Sequence, residues 1–156
     1  MNSTLTRRAV TAQDDEFLFE LFKWARLGDL AALLLPPATI EGLMRVQYVG
    51  QKQTYRAQYS SGDEIVLVNG KPVGRIWVYR GPAEHHLVDI ALLPEYRNRG
   101  IGAALVSEAV SAARAAGVAL RCSVAVNNPG SLRFHQRLGF RIVARDELYF
   151  ALAAEP

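Results

Sequence analysis

The chain is poor in the residues that make cross-links. Its 156 residues include one cysteine, Cys122, so no internal disulfide can form and a reducing, cytoplasmic setting is expected. Cys122 itself is expected as a small core residue. No apolar run reaches the length of a membrane-crossing helix, and no membrane partner is expected. The opening Met-Asn-Ser-Thr-Leu-Thr-Arg-Arg lacks the apolar stretch of a signal peptide, so none is expected. The lysine and Ser/Thr of a P-loop are missing, and no metal is expected. The Gly-x-Gly-x-x-Gly dinucleotide fingerprint also fails, because position 105 is leucine. There is no repeat, low-complexity tract or linker.

What is present is hydrophobic bulk and a local excess of arginine. Half of the residues are hydrophobic, enough for a sizeable core, and residues 1–156 are expected to form one domain. Residues 97–141 hold seven arginines and one glutamate, whereas the flanking segments are slightly acidic. Such a patch suits a polyphosphate ligand or nucleic acid.

Periodicity and turn signals give the element order. A first strand is expected at residues 5–10. A first helix follows from about Thr11 to Arg26, with a loop at residues 27–37. A second helix spans 39–59, with Leu43, Val46, Tyr48 and Val49 among its apolar positions. Strands at 64–68 and 73–79 meet at Asn69-Gly70, a strong hairpin signal. A central strand at 85–93 leads into a helix at 100–116 and a strand at 120–126, one parallel crossover. A short helix at 129–138 and a closing hairpin of 141–144 with 147–152 complete the chain. Residues 153–156 are expected to be loose.

The stretch Ile90-Ala-Leu-Leu-Pro-Glu-Tyr-Arg-Asn-Arg-Gly-Ile-Gly-Ala103 organises the rest. A strand stops at Pro94, and a loop with two arginines and two glycines opens a helix. Backbone N–H groups at a helix N-terminus attract anions, and Gly100 and Gly102 leave them unshielded. Arg97 and Arg99 add permanent charge. On spacing alone, the stretch reads equally as a tight turn with solvated arginines.

Arg97-Asn98-Arg99-Gly100-Ile101-Gly102 resembles the (Arg/Gln)-x-x-Gly-x-(Gly/Ala) motif of the GCN5-related N-acetyltransferases, the GNAT superfamily. Downstream, Asn128, Ser131, Phe134, His135, Gly139 and Phe140 resemble that family's second element. Ser131 stands where alanine is usual, and His135 where tyrosine is usual. The resemblance spans residues 5–152. It implies an α+β fold, an α/β sandwich: a mixed, mostly antiparallel sheet of about seven strands with a splayed parallel pair and four helices. It implies acetyl-CoA as co-substrate. Arg97, Asn98, Arg99, Gly100, Ile101, Gly102 and Ala103 would hold its pyrophosphate. The backbone at Ala91 and Leu92 would pair with the pantetheine arm and polarise the thioester carbonyl. Asn128, Ser131 and Phe134 would line the arm.

The resemblance offers two catalytic candidates. His86 matches a place where some relatives carry a base, and it reads equally as a surface histidine at a strand end. With a regular pleat, His86 shares a face with Val88, Ile90 and Leu92, while Asp89 lies opposite with Leu87 and Ala91. His135 would take the place of the tyrosine that protonates the departing thiolate. Asp89 is expected to be structural, accepting backbone or arginine donors, and Glu84 is a weaker base candidate. Tyr149 is a further acid candidate. Trp24, Trp77 and Tyr79 are expected as core or pocket wall, and Leu30 to Leu35 as burial or an apolar lip on the acceptor site.

The expected function is therefore acetyl transfer to a primary amine of a small molecule or protein, by direct transfer. The alternative is a GNAT-fold protein that senses acyl-CoA without turnover. Nucleic acid is not the expected partner, because the arginines cluster at the cofactor motifs. A homodimer stays open.

Overall fold

The computed structural model describes residues 3–31 and 33–156, with the side chains of residues 28–31 outside the description. Seven strands form one sheet: β1 (Leu5–Ala9), β2 (Asp63–Val68), β3 (Lys71–Arg80), β4 (His85–Leu92), β5 (Leu120–Ala125), β6 (Arg141–Arg145) and β7 (Tyr149–Ala154). Their order is β1-β2-β3-β4-β5-β7-β6. Every neighbouring pair is antiparallel except β4 and β5. Among the described residues four α-helices cover the sheet: α1 (Asp15–Ala31), α2 (Pro37–Gln58), α3 (Ile101–Ala115) and α4 (Pro129–Arg137). This is the expected mixed sandwich.

Strand alternation divides the core between the two faces. On one face Val66, Ile76, Leu87 and Leu120 pack with Leu105, Val106 and Val110 of α3. On the other, Ile65 packs with Leu18, Phe19 and Phe22 of α1 and with Met44 and Tyr48 of α2. Beneath those helices Arg75 is buried and paired with Asp63, through Nε at 2.8 Å and Nη2 at 2.6 Å.

Several boundaries differ from the expected ones, each for a physical reason. Helix α1 runs to Ala31 instead of stopping near Arg26, because Gly28 is tolerated inside a helix at a modest cost. On α2 the buried positions are Met44 and Tyr48, while Leu43, Val46 and Val49 face outward. Tyr48 decides the rotation: its ring packs on Phe19 and Phe22 and its hydroxyl donates to Asp15 at 2.7 Å. Trp24 is exposed rather than core, whereas Trp77 is buried and donates to the Ser61 carbonyl at 2.8 Å. Ala153 and Ala154 are not loose. They are buried at the end of β7, where Ala153 pairs with Arg121 on one side and Arg141 on the other.

Strand β4 carries the irregularity that shapes the site. Trp77 pairs with Asp89, but the next residue of β3, Val78, pairs with Leu87. Val88 is thus the extra residue of a β-bulge, which bends the strand and re-aims its side chains. The regular-pleat expectation fails here. Leu87 and Ile90 both pack on the α3 side, whereas Ala91 packs on the α1 side. His86 lies against Tyr59, just past the end of α2, with ring centroids 5.3 Å apart. Asp89 reaches Arg75 at 3.6 Å. His86 and Asp89 therefore both face the α1/α2 layer, and His86 does not share a face with Ile90 and Leu92.

Candidate active site

The parallel pair opens almost as soon as it forms. Among the described residues, β4 and β5 pair at His85 with Leu120 and at His86 with Arg121. Beyond that point β5 follows β7, and the edge of β4 from Leu87 to Leu92 is left facing a gap. A cavity of about 610 Å³ lies where the strands begin to part, beside residues 86–88 of β4 and 121–123 of β5, and its walls include Tyr55, Tyr59, His86, Arg121, Ser123 and Tyr149.

At one end of the gap lies the start of α3. Asn98 and Gly100 both have left-handed backbone, with φ of 59° and 80°. Gly100 is the N-cap of α3 and no side chain caps the helix. The first turn closes from the Ala104 N–H to the Gly100 carbonyl at 3.0 Å. The N–H groups of Ile101, Gly102 and Ala103 have no partner further back in the helix. A Cβ on Gly100 would meet nothing within 4 Å, so the approach to these groups is open. The chemistry fits a pyrophosphate: unshielded donors at a positive helix end, with Arg97 and Arg99 beside them. Arg97 also donates from Nε to the Leu92 carbonyl at 3.1 Å, tying the loop to the end of β4. Arg99 lies over the Tyr96 ring, 5.3 Å from its centroid.

Helix α4 borders the same gap. Asn128 is its N-cap and accepts from the Ser131 N–H at 3.1 Å, so its Oδ1 is engaged in the cap. Phe134 reaches over the first turn of α3: a Cβ on Gly102 would lie 3.6 Å from its ring. His135 is buried, edge-on to Phe134 and Phe140. Its Nδ1 lies 2.8 Å from the Ser131 carbonyl. A carbonyl only accepts, so Nδ1 carries the proton. Burial lowers the His135 pKa, and the bond to Ser131 offsets this only in part.

At the other end of the gap stands His86. Its Nε2 lies 2.9 Å from Oε1 of Glu84, and the second oxygen of Glu84 is bound by Nε of Arg121 from β5. The neighbouring His85 points into the core, with Nδ1 buried and, among the described residues, without a hydrogen-bond partner. Burial lowers its pKa. Asp89 is half-buried, and its desolvation raises its pKa, with Arg75 acting against that rise. Cys122 lines the cavity, and burial pushes its thiol up to about 12.

The structure brings His86 to the cavity wall and places Phe134 and Gly102 in contact range at the head of α3. Tyr149 lines the cavity. Leu33, Leu34 and Leu35 are exposed, and the rest of the leucine-rich segment expected as a lip lies outside the described side chains. Sequence reasoning missed Tyr55, Tyr59 and Arg121. Arg121 carried a signal, as a charged residue inside an otherwise apolar strand. The tyrosines carried none, because only the docking of α2 brings them to the gap.

Seven strands in this order, with a splayed parallel pair and an open helix end beside it, define a mixed α/β sandwich with a slot between two strands. The sequence model described as Acetyltransferase (GNAT) family matches residues 29–140. The chain belongs to that family. It is 40% identical, over 88% of its own length, to the uncharacterized N-acetyltransferase MJ1207 of Methanocaldococcus jannaschii, and it spans 61% of that relative. In fold it is similar to the PaiA N-acetyltransferase of Thermoplasma acidophilum in complex with coenzyme A, at 22% identity and a TM-score of 0.72. That match covers 98% of this chain and 99% of the other. An acetyltransferase of Thermus thermophilus matches with a TM-score of 0.68 at 20% identity, over 96% of each chain. Among the described residues no helix is long and apolar enough to cross a membrane. No group of three or more His, Cys, Asp or Glu side chains that could hold a metal occurs among them.

Proposed function

We propose that the chain transfers the acetyl group of acetyl-CoA to a primary amine. The observation that carries this reading is the gap itself: a free edge of β4 that runs from a histidine at one end to an unshielded helix N-terminus at the other. The N–H groups of residues 101–103, with Arg97 and Arg99, would hold the pyrophosphate. The β4 backbone at Ala91 and Leu92 would pair with the pantetheine amides as an added strand and place an N–H on the thioester carbonyl. Phe134, Ser131 and Asn128 would wall the arm. Acetyl-CoA supplies an activated acyl carbon. The chain supplies position, a polarising N–H and a place for the amine's proton.

His86 takes that proton in this reading. It faces the cavity, and a neutral imidazole can abstract a proton at physiological pH. His135 is the weaker of the two catalytic candidates. Burial disfavours its charged form and its Nδ1–H is committed to Ser131, so it donates a proton to the thiolate only at low pH. Direct transfer is favoured over an acetyl-cysteine route, because a thiol held at about 12 supplies little thiolate at neutral pH.

The experiment is a panel of primary amines, from amino acids and diamines to peptide N-termini, each incubated with acetyl-CoA and assayed for CoA release and acetylated product. Turnover with one class above solvent hydrolysis supports the reading. Tight CoA binding without turnover on any amine would favour the sensor role.

A further inference from the structure

The acceptor end of the gap contains a linked set of side chains that no motif announces. Glu84 precedes β4, His86 lies on β4, and Arg121 lies on β5 opposite His86 in the last parallel pair before the strands part. Both oxygens of Glu84 are used, one by Nε2 of His86 at 2.9 Å and the other by Nε of Arg121. The carboxylate is thus held from two sides. On its other side the imidazole meets the Tyr59 ring at 5.3 Å, and Tyr59 in turn meets Tyr79 of β3 at 5.6 Å. Glu84, Arg121, Tyr59 and Tyr79 thus lie around His86, and Tyr55, Arg145, Asp146 and Tyr149 line the same cavity.

We propose that Glu84, held by Arg121, is a positioning residue for His86, fixing the imidazole so that Nε2 carries the proton and Nδ1 is the atom that accepts the amine's proton. This rests on the reading of His86 as base. Burial alone would raise the Glu84 pKa, but the bonds from His86 and Arg121 outweigh it and hold the group below the usual carboxylate range. Glu84 is then a carboxylate at neutral pH and can only accept, which assigns the Nε2 proton. During transfer the amine nitrogen bonds to the acetyl carbon and gives its proton to Nδ1, and the carbon–sulfur bond opens with its electron pair leaving on sulfur. The imidazolium that forms is stabilised across Nε2 by the Glu84 carboxylate, then returns its proton to solvent or to the thiolate.

Arg121 gives the arrangement a second property. It ties the base to the strand on the far side of the gap, at the point where the gap begins. These side chains are partly exposed, and an ion pair of that kind contributes little to stability. Orientation is therefore what the cluster supplies.

The test needs no acceptor for its first arm. Long-range ¹H–¹⁵N correlation spectra resolve the three histidines, with His86→Asn providing the assignment. His86 should show the Nε2–H tautomer when neutral, and His135 the opposite one as internal control. In Glu84→Gln the single tautomer should be lost, because a carboxamide can donate as well as accept. In the second arm, with the best amine of the panel, the plateau of kcat/KM should fall about 10-fold, the loss lying in kcat rather than KM. Arg121→Gln should give a smaller loss, and Arg121→Lys should recover part of it. An Nδ1–H tautomer in the wild type, or an unchanged tautomer in Glu84→Gln, overturns the proposal. A loss of rate in Glu84→Gln that comes with a lower Tm and an unmoved tautomer makes Glu84 a strand brace and also overturns it. If His86→Ala keeps the full rate, the proposal falls while acetyl transfer stands. If no amine turns over, the transfer reading falls and the spectra still decide the tautomer.

Discussion

The ring of Phe134 lies 3.6 Å from the point where a Cβ on Gly102 would stand. That is an ordinary van der Waals separation, so the position accepts a methyl group and nothing larger without moving the ring. Gly100, two residues earlier, presents the opposite case. It has open space around it but a φ of 80° that L residues disfavour. Gly102→Ala is expected to keep CoA affinity within about 3-fold, the methyl adding contact rather than a clash. Gly100→Ala is expected to cost about 1–2 kcal/mol through backbone strain. Calorimetric CoA titration and thermal melts of the two variants check this. Equal behaviour would mean that backbone conformation is not what Gly100 contributes.

His135 provides a prediction about proton donation. Because burial lowers its pKa and Nδ1–H is bound to Ser131, the imidazolium is scarce at pH 7.5. His135→Phe should fill the same space between Phe134 and Phe140. Its rate at pH 7.5 is expected to stay within about 3-fold of wild type, below the effect of losing a general acid. Rates over pH 6–9 decide the matter. A loss greater than tenfold, with acetyl-CoA affinity intact and recovery in His135→Tyr, would restore His135 as the acid.

Acid stability should depend on Asp14. Its carboxylate, bound by both terminal nitrogens of Arg8 at 2.8 Å, is held down to about 2. The folded pKa lies below the unfolded one of about 3.9, so the stabilisation is complete above pH 4 and lost as pH falls toward 2. Asp14 is buried and Arg8 is partly exposed, which puts the contribution at about 1–2 kcal/mol after screening. Urea unfolding of wild type and Asp14→Asn at pH 7 and pH 2 measures it. The difference between the two proteins should shrink at the lower pH.

The buried pair beneath α1 and α2 should be costly to break from one side. Asp63→Ala would leave the enclosed Arg75 guanidinium with only the looser Asp89 contact at 3.6 Å. A loss of about 3–5 kcal/mol is expected, and the double variant Asp63→Ala with Arg75→Met should recover much of it. Chemical denaturation of wild type, Asp63→Ala, Arg75→Met and the double variant provides the cycle. A double variant no more stable than Asp63→Ala would show that the arginine's packing matters more than its charge.

How far the sequence foretold this molecule depended on how local each feature is. The turn from β4 into α3 at Arg97–Gly102 was legible because its parts are contiguous: a strand end, two glycines and a helix start. The parallel crossover was legible because strand and helix periods alternate there. The rotation of α2 was not, since Leu43, Val46 and Val49 make as plausible a stripe as Met44 and Tyr48 until Phe19 and Phe22 are in place. The bulge at Val88 left no trace, because it is a mismatch between two strands rather than a property of either. It is the reason His86 faces α2. The pairing of Glu84 with Arg121 was equally hidden, because the partners are 37 positions apart.

The brief parallel pairing of β4 with β5 leaves a row of β4 peptide groups with no ladder on that side. Those amide hydrogens between Leu87 and Leu92 that point away from β3 should trade with solvent deuterium quickly in the free protein, while their neighbours bonded to β3 trade slowly. The strand should thus show alternating protection along its length. Filling the gap with CoA would quench the fast half of that pattern and leave the slow half as it was, giving a residue-by-residue footprint of occupancy that requires no knowledge of the amine.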